Sequence, residues 1–175
     1  MSTYQVDPAH ARLGFAVKHM MVSTVRGNFA EFSSTVEVDE ANPGDAKIEV
    51  TIDANSVNTG QLQRDNHLRS GDFFEVEKFP TITFKSTKIE PKGGTSYAVT
   101  GDLTIHGVTQ PVTLEGEVEG PIKDAYGMQR AGVELHGALS RKDYGLTYNG
   151  ALEAGGVVIA DHVRLDIEAE YTKAA

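Results

Sequence analysis

The residues best equipped for chemistry lie close together in "QLQRDNHLRSGDFFEVEKFPTITFKS", residues 61–86, where Arg64, Asp65 and His67 fall within one helical turn. A carboxylate, a guanidinium and an imidazole at that spacing are the raw material of proton transfer. On a helix, residues three apart share a face, so Arg64 groups with His67 while Asp65 points elsewhere. That is poor geometry for a carboxylate orienting a histidine, and no serine is placed by spacing as a nucleophile. The spacing therefore predicts a helix held by polar contacts, with His67 or Arg64 available to a ligand's polar head. No catalytic residue is assigned.

The other candidates for chemistry are the histidines His10, His19, His67, His106, His136 and His162. None pairs with another at the i, i+4 spacing of a helical metal site or the i, i+2 spacing of a strand site. No metal or cofactor is expected. Cysteine is absent, which excludes disulfides, thiolate ligands and a cysteine nucleophile. "GVTQPVTL" lacks the glycine pattern and lysine of a nucleotide loop and reads as a hairpin. His19 keeps register with Leu13, Phe15 and Val17 and is expected to point inward at one end of a strand. With His67 and Tyr144, it is a candidate contact for a polar head group.

The elements that must position these residues are strands. "AKIEVTID" sets Ile48, Val50 and Ile52 against Lys47, Glu49 and Thr51, and "HVRLDIEAEY" alternates in the same way. Such period-two segments are half-buried antiparallel strands. Eight are predicted, near residues 11–19, 27–39, 46–53, 80–90, 96–106, 108–119, 129–140 and 162–172. They are separated by turn chemistry at 41–45, 91–94, 106–111 and 153–156. Two stretches break the rhythm. Residues 20–25 suggest a short helical turn, and about 59–70 the one main helix, capped by Ser56 or Thr59 with Leu62 and Leu68 inward.

Eight antiparallel strands with apolar inner faces close into a barrel or stack as two sheets within one domain, residues 1–175. The outward positions carry Lys47, Glu49, Lys85, Arg164, Asp166 and Glu168, which lipid would not tolerate, so the barrel is expected to be soluble. The net charge of −9 argues against nucleic acid and anionic membranes as partners. No apolar run is long enough to span a bilayer. "MSTYQVDPAHARLGF" does not read as a signal peptide, and the cytoplasm is the expected location. Inward glycines such as Gly101, Gly116 and Gly137 favour a hollow interior.

Five stretches, taken in order, resemble the YceI-like, lipocalin-like polyisoprenoid-binding family: "YQVDPAHARLGFAVKHMMVSTVRGNF", "IDANSVNTG", "RDNHLRSGDFFEVEKFPTITFKS", "VTGDLTIHGVTQPVTL" and "LSRKDYGL". The resemblance implies an eight-stranded antiparallel barrel with a helix at one side. Its tunnel would hold a long-chain isoprenoid, an isoprenoid quinone or an acyl lipid. It also implies a binding protein rather than an enzyme, and a homodimer. Arg64 to Leu68 and Asp72 to Phe74 become framework and pocket wall. Strand parity adds Phe15, Val17, Phe32, Val36, Ile48, Val50, Phe84, Tyr97, Val99, Leu103, Leu114, Leu135, Leu139, Leu165 and Ile167 as wall candidates. Leu62, Leu68, Phe73 and Phe74 come from the helix and its exit. Two rival readings are a filled barrel acting as an interaction module, and an enzyme on a lipid-like substrate with His67 or His19 as acid or base.

Overall fold

A computed structural model of the chain describes residues 1–149 and 158–175. The turn expected at 153–156 lies outside the described residues. The strands are β1 (Ser2–His19), β2 (Ser23–Phe29), β3 (Phe32–Val38), β4 (Lys47–Asp53), β5 (Val57–Asn58), β6 (Thr81–Gly93), β7 (Ser96–Ile105), β8 (Val108–Lys123), β9 (Gln129–Ser140) and β10 (Ile159–Lys173). One helix, α1, spans Leu62–Arg69.

Every pairing is antiparallel, and β10 returns to β1, so the sheet closes. β2 and β3 lie on the same side of β1, β3 against Ser2–Gln5 and β2 against Leu13–His19. Together they form one stave, broken at residues 30–31, and the two-residue β5 pairs antiparallel beside the end of β2, continuing the stave of β4. The barrel thus has eight staves, as the sequence predicts. Closure removes the exposed sheet edges that invite aggregation.

Alternation explains which side chains face in. Val36 pairs with Ile48, Val50 with Phe84, Phe84 with Leu103, and Phe15 with Leu165, so the apolar set of each strand meets its neighbour's. The opposite parity runs Glu49, Lys85 and Asp102 side by side on the exposed face. One end of the barrel carries α1, the turn between β1 and β2, and the turn between β7 and β8. At the other end Tyr4, Ala169 and Tyr171 form a separate buried cluster.

Two local expectations are corrected. Residues 20–22 form a tight turn, not a helical one, and β2 begins at Ser23. Met20 and Met21 have φ of 52° and 62°, left-handed values that no right-handed helix accepts, and the Val22 N–H donates to the His19 carbonyl. The main helix is shorter than 59–70. Thr59 stays outside it because its N–H and Oγ1 both donate to Asp65 Oδ1, at 2.9 and 2.6 Å. The cap therefore runs backwards: the helix side chain holds the residue before it. Among the described residues no helix is long and apolar enough to cross a membrane.

Candidate functional site

The barrel interior is hollow. A cavity of about 660 Å³ runs from the α1 end to the tyrosine-rich end. That volume falls within the range of clefts that enclose small-molecule ligands. Its wall is apolar because strand parity makes it so. Phe15 and Val17 of β1, Phe32 and Val36 of β3, and Ile48 and Val50 of β4 line it. So do Phe84 of β6, Val99 and Leu103 of β7, and Leu114 of β8. Leu135 and Leu139 of β9, with Leu165 and Ile167 of β10, complete the strands. Leu68, Phe73 and Phe74 enter from α1 and its exit. Six of the seven phenylalanines reach the cavity, which makes the aromatic content of this chain largely a wall component. Phe79 is the exception and packs on His106, ring centroids 4.6 Å apart.

Two predicted wall residues, Leu62 and Tyr97, and one predicted head-group contact, Tyr144, lie elsewhere. Leu62 is 71% exposed. It sits six positions from Leu68, about 120° away around a helix, so the two cannot share an inner face. Tyr97 has the inward parity of β7 but falls at the end of that strand, opposite Pro91 and Gly116, and does not line the cavity. Tyr144 is fully buried beside the cavity, outside its wall. Burial, with Asp143 adding to it, pushes the Tyr144 phenol up to about 12. Its hydroxyl finds no hydrogen-bond partner among the described residues.

The inward glycines do not make the space either. A Cβ on Gly101 would run into the Phe84 ring, on Gly137 into the Leu114 side chain, and on Gly116 into the Glu134 backbone. These glycines admit neighbouring side chains and close strand approach, while the void is bounded by larger residues. Parity could have supplied Leu13, Ile52, Ile105 and Val163, which continue predicted faces and line the cavity. Leu146 and Tyr148 line it from an irregular segment that carries no periodic signal.

Polar side chains gather at the α1 end. His67 lines the cavity, its Nε2 2.8 Å from Asp72 Oδ2. Its ring stands edge-on to Phe73 and Tyr148, at 5.0 and 4.9 Å between centroids. His19 also lines the cavity, as its register predicts. Arg64 donates from Nε to Thr59 Oγ1 (2.7 Å) and from Nη2 to the Thr59 carbonyl (2.8 Å). Arg69 donates to the carbonyls of Asn55 and Val57. With few apolar residues of its own, α1 is held to the rim by these polar contacts.

Arg141 was not predicted. It is only 4% exposed, yet lines the cavity and donates to the carbonyls of Leu146, Tyr148, Ile159 and Ala160. Burial lowers its affinity for the proton, and Asp161 partly offsets this. At the opposite end the Ser34 and Tyr171 hydroxyls share a buried hydrogen bond of 2.8 Å, and both residues line the cavity. Burial raises the Tyr171 phenol above its usual range.

One cluster elsewhere resembles a metal site. Asp7, His10 and Glu170 bring ligand atoms together where β1 bulges away from β10. Arg130 already supplies a cation there, its Nη1 3.2 Å from Asp7 and 3.5 Å from Glu170.

A closed antiparallel barrel, hollow along its length and rimmed by an Arg-Asp-x-His helix, matches one family profile described as a YceI-like domain, over residues 4–171. The chain belongs to the YceI-like family. A UPF0312 protein of Staphylococcus aureus (strain N315) is 41% identical over 173 residues, 98% of each chain. The crystal structure of BcnA from Burkholderia cenocepacia superposes with a TM-score of 0.81 at 26% identity, covering 94% of this chain and 98% of that one. A polyisoprenoid binding domain from Saccharophagus degradans shares the fold at 20% identity, with a TM-score of 0.69 over 96% of this YceI-like chain and 97% of the other.

Proposed function

We propose that this YceI-like protein binds, stores or carries a long-chain amphiphile, a polyisoprenoid, an isoprenoid quinone or a fatty-acid-like lipid, inside the barrel. One observation carries the reading: a continuous apolar cavity of about 660 Å³ in a closed barrel. Hydrocarbon burial contributes about 0.8 kcal/mol per CH₂, so roughly 20 enclosed carbons supply some 16 kcal/mol before costs. Ordering the chain and fixing two molecules together remove a large share. What remains sustains affinity without strong polar contacts. The polyisoprenoid named for the Saccharophagus domain is consistent with this class of ligand.

A filled interaction module would pack its inward residues against one another, and here they surround a void. The wall also favours a binder over an enzyme. Its imidazole at His67 is held by Asp72, and its guanidinium at Arg141 by four carbonyls. Neither is poised against a nucleophile among the described residues. The test is mass spectrometry of the gently purified protein, native and then after organic extraction. We expect a stoichiometric prenyl or acyl compound, and the native mass gives the oligomeric state, for which we propose a dimer. An empty protein that also takes up no added quinone or prenyl lipid overturns the binding reading.

A further inference from the structure

Three large apolar side chains stand in a row at the turn between β1 and β2. Met20 and Met21 are exposed there, Met21 at 64%, and Val22 is 82% exposed. A run of three exposed apolar residues is an error on a soluble surface unless it has a use. Met20 and Met21 also hold left-handed φ values that suit Asn, Asp or Gly and are unfavourable for a residue with a longer side chain. None of the three lines the cavity or joins the buried core.

The turn stands where the cavity reaches solvent. Gln61, Gln63 and Tyr148 line the cavity and are exposed, all at the α1 end. At the other end the lining residues Ser34, Ala169 and Tyr171 are buried. The turn is tied to the wall directly: His19, which precedes it, lines the cavity, and the Met20 N–H donates to the carbonyl of Val158, another wall residue, at 2.7 Å. Leu62, exposed on α1, belongs to the same rim.

Charge separates this rim from the rest of the surface. The net charge of −9 reads against an anionic bilayer, but the acids are not spread evenly. Lys18 and Arg26 are exposed on the outer face of β1 and β2 just below the turn, and neither side chain has a hydrogen-bond or ion-pair partner among the described residues. Arg164, which shares Asp166, joins them, because Ala16 pairs with Arg26 on one side and with Arg164 on the other. Glu75 and Asp143 lie across the barrel, beside the turn and the strand that follow β7. Glu37, Glu40, Glu117, Glu119 and Glu170 lie at the opposite end. A second exposed apolar group, Ile122, Tyr126 and Met128 on the β8–β9 hairpin, sits among the acids of that end and lines no part of the cavity.

We infer that the β1–β2 turn docks this protein on a lipid bilayer that carries anionic phospholipid. Met20, Met21 and Val22 enter the boundary between head groups and acyl chains, about 5–10 Å deep, and Lys18 and Arg26 meet the phosphates. The negative field of the far end is screened beyond about 8 Å at physiological salt, so it does not prevent this approach. The lipid-binding reading above gives the docking its purpose: the cavity loads from the membrane and discharges into it at the end where it reaches solvent.

The chain has no tryptophan, so a single one reports its own surroundings. Val22→Trp places the probe on the turn, and Tyr126→Trp places it on the opposite hairpin. With mixed phosphatidylcholine–phosphatidylglycerol vesicles, the Val22→Trp emission is expected to shift to the blue and to be quenched by phospholipids brominated high on the acyl chain. The Tyr126→Trp emission stays where it is. In co-sedimentation, Met21→Gln with Val22→Gln weakens vesicle binding about tenfold. Lys18→Gln with Arg26→Gln weakens it about tenfold on the mixed vesicles and much less on phosphatidylcholine alone. Met21→Gln with Val22→Gln still takes up geranylgeraniol offered without vesicles, which separates lost docking from a folding defect. No shift at either position, with uptake of free geranylgeraniol intact, overturns the docking and leaves lipid binding standing. Equal shifts at both positions also overturn it. A blue shift in Val22→Trp that grows with protein concentration and needs no vesicles means that a second copy covers the turn, and overturns it as well. Vesicle binding through the turn without uptake of any lipid upholds the docking surface and removes the lipid-cavity reading.

Discussion

Two buried tyrosines show how one hydroxyl changes its value with its neighbours. Tyr171 shares a 2.8 Å hydrogen bond with Ser34 at the end of the cavity away from α1. Replacing it with Phe leaves Ser34 buried without a partner, which costs about 1–2 kcal/mol. Tyr144 is as deeply buried, and its hydroxyl has no partner among the described residues. Tyr144→Phe removes a desolvated group that gains nothing, and is expected to be neutral or to stabilise by up to about 1 kcal/mol. Urea unfolding of the two variants side by side checks the contrast. A loss of more than about 1 kcal/mol in Tyr144→Phe would show that the hydroxyl is satisfied in solution.

At the scale of the element, α1 is a helix with little apolar surface to dock. Its sequence, LQRDNHLR, supplies only two leucines, and one of them, Leu62, faces solvent. Polar stapling takes the place of an apolar stripe: Asp65 holds Thr59, Thr59 receives Arg64, and Arg69 reaches the Asn55 and Val57 carbonyls. Asp65→Ala removes a buried acceptor and strands two donors of Thr59, a loss of about 2–3 kcal/mol. Leu62→Ser, on the same helix, is expected to stay within about 0.5 kcal/mol of the parent. Denaturant midpoints separate the two. Equal losses would mean that α1 is held by its apolar side chains after all.

For the whole molecule, pH is the informative variable. Lys88 and Lys92 hold the Glu90 carboxyl down to about 2, and His10, with Arg130 second, holds Asp7 below its usual value. Arg130 does the same to Asp124, and His136 to Asp166. Groups with depressed folded values contribute stability that is present above their ordinary range and disappears as pH falls through the depressed one. Tyr4 and Tyr144 have the opposite sense: burial raises both to about 12. Their contribution is present below the ordinary phenol value of 10.0 and is lost as pH climbs toward 12. The thermal midpoint is therefore expected to be broad and flat around neutrality. It should decline as pH drops from about 4.5 toward 2 and again as it rises from 10 toward 12. A steep loss between pH 6 and 8 would point instead to histidine control.

The sequence by itself determined the staves and their inner faces, because a strand's side chains alternate with period two and a buried face tolerates no slip of register. Phe15, Val50, Leu103 and Leu165 are on the wall for that reason alone. It also determined that the Arg-Asp-x-His segment would be framework at a rim. Only the tertiary structure decided that the barrel is hollow. Volume depends on how all eight staves close together, and Gly101 and Gly137 turned out to admit Phe84 and Leu114 rather than a ligand. It also decided where the helix begins, since Asp65 reaches back across the chain to Thr59. Arg141 joined the wall through contacts with an irregular segment that has no period to read, and Tyr144, expected near a head group, lies outside the cavity.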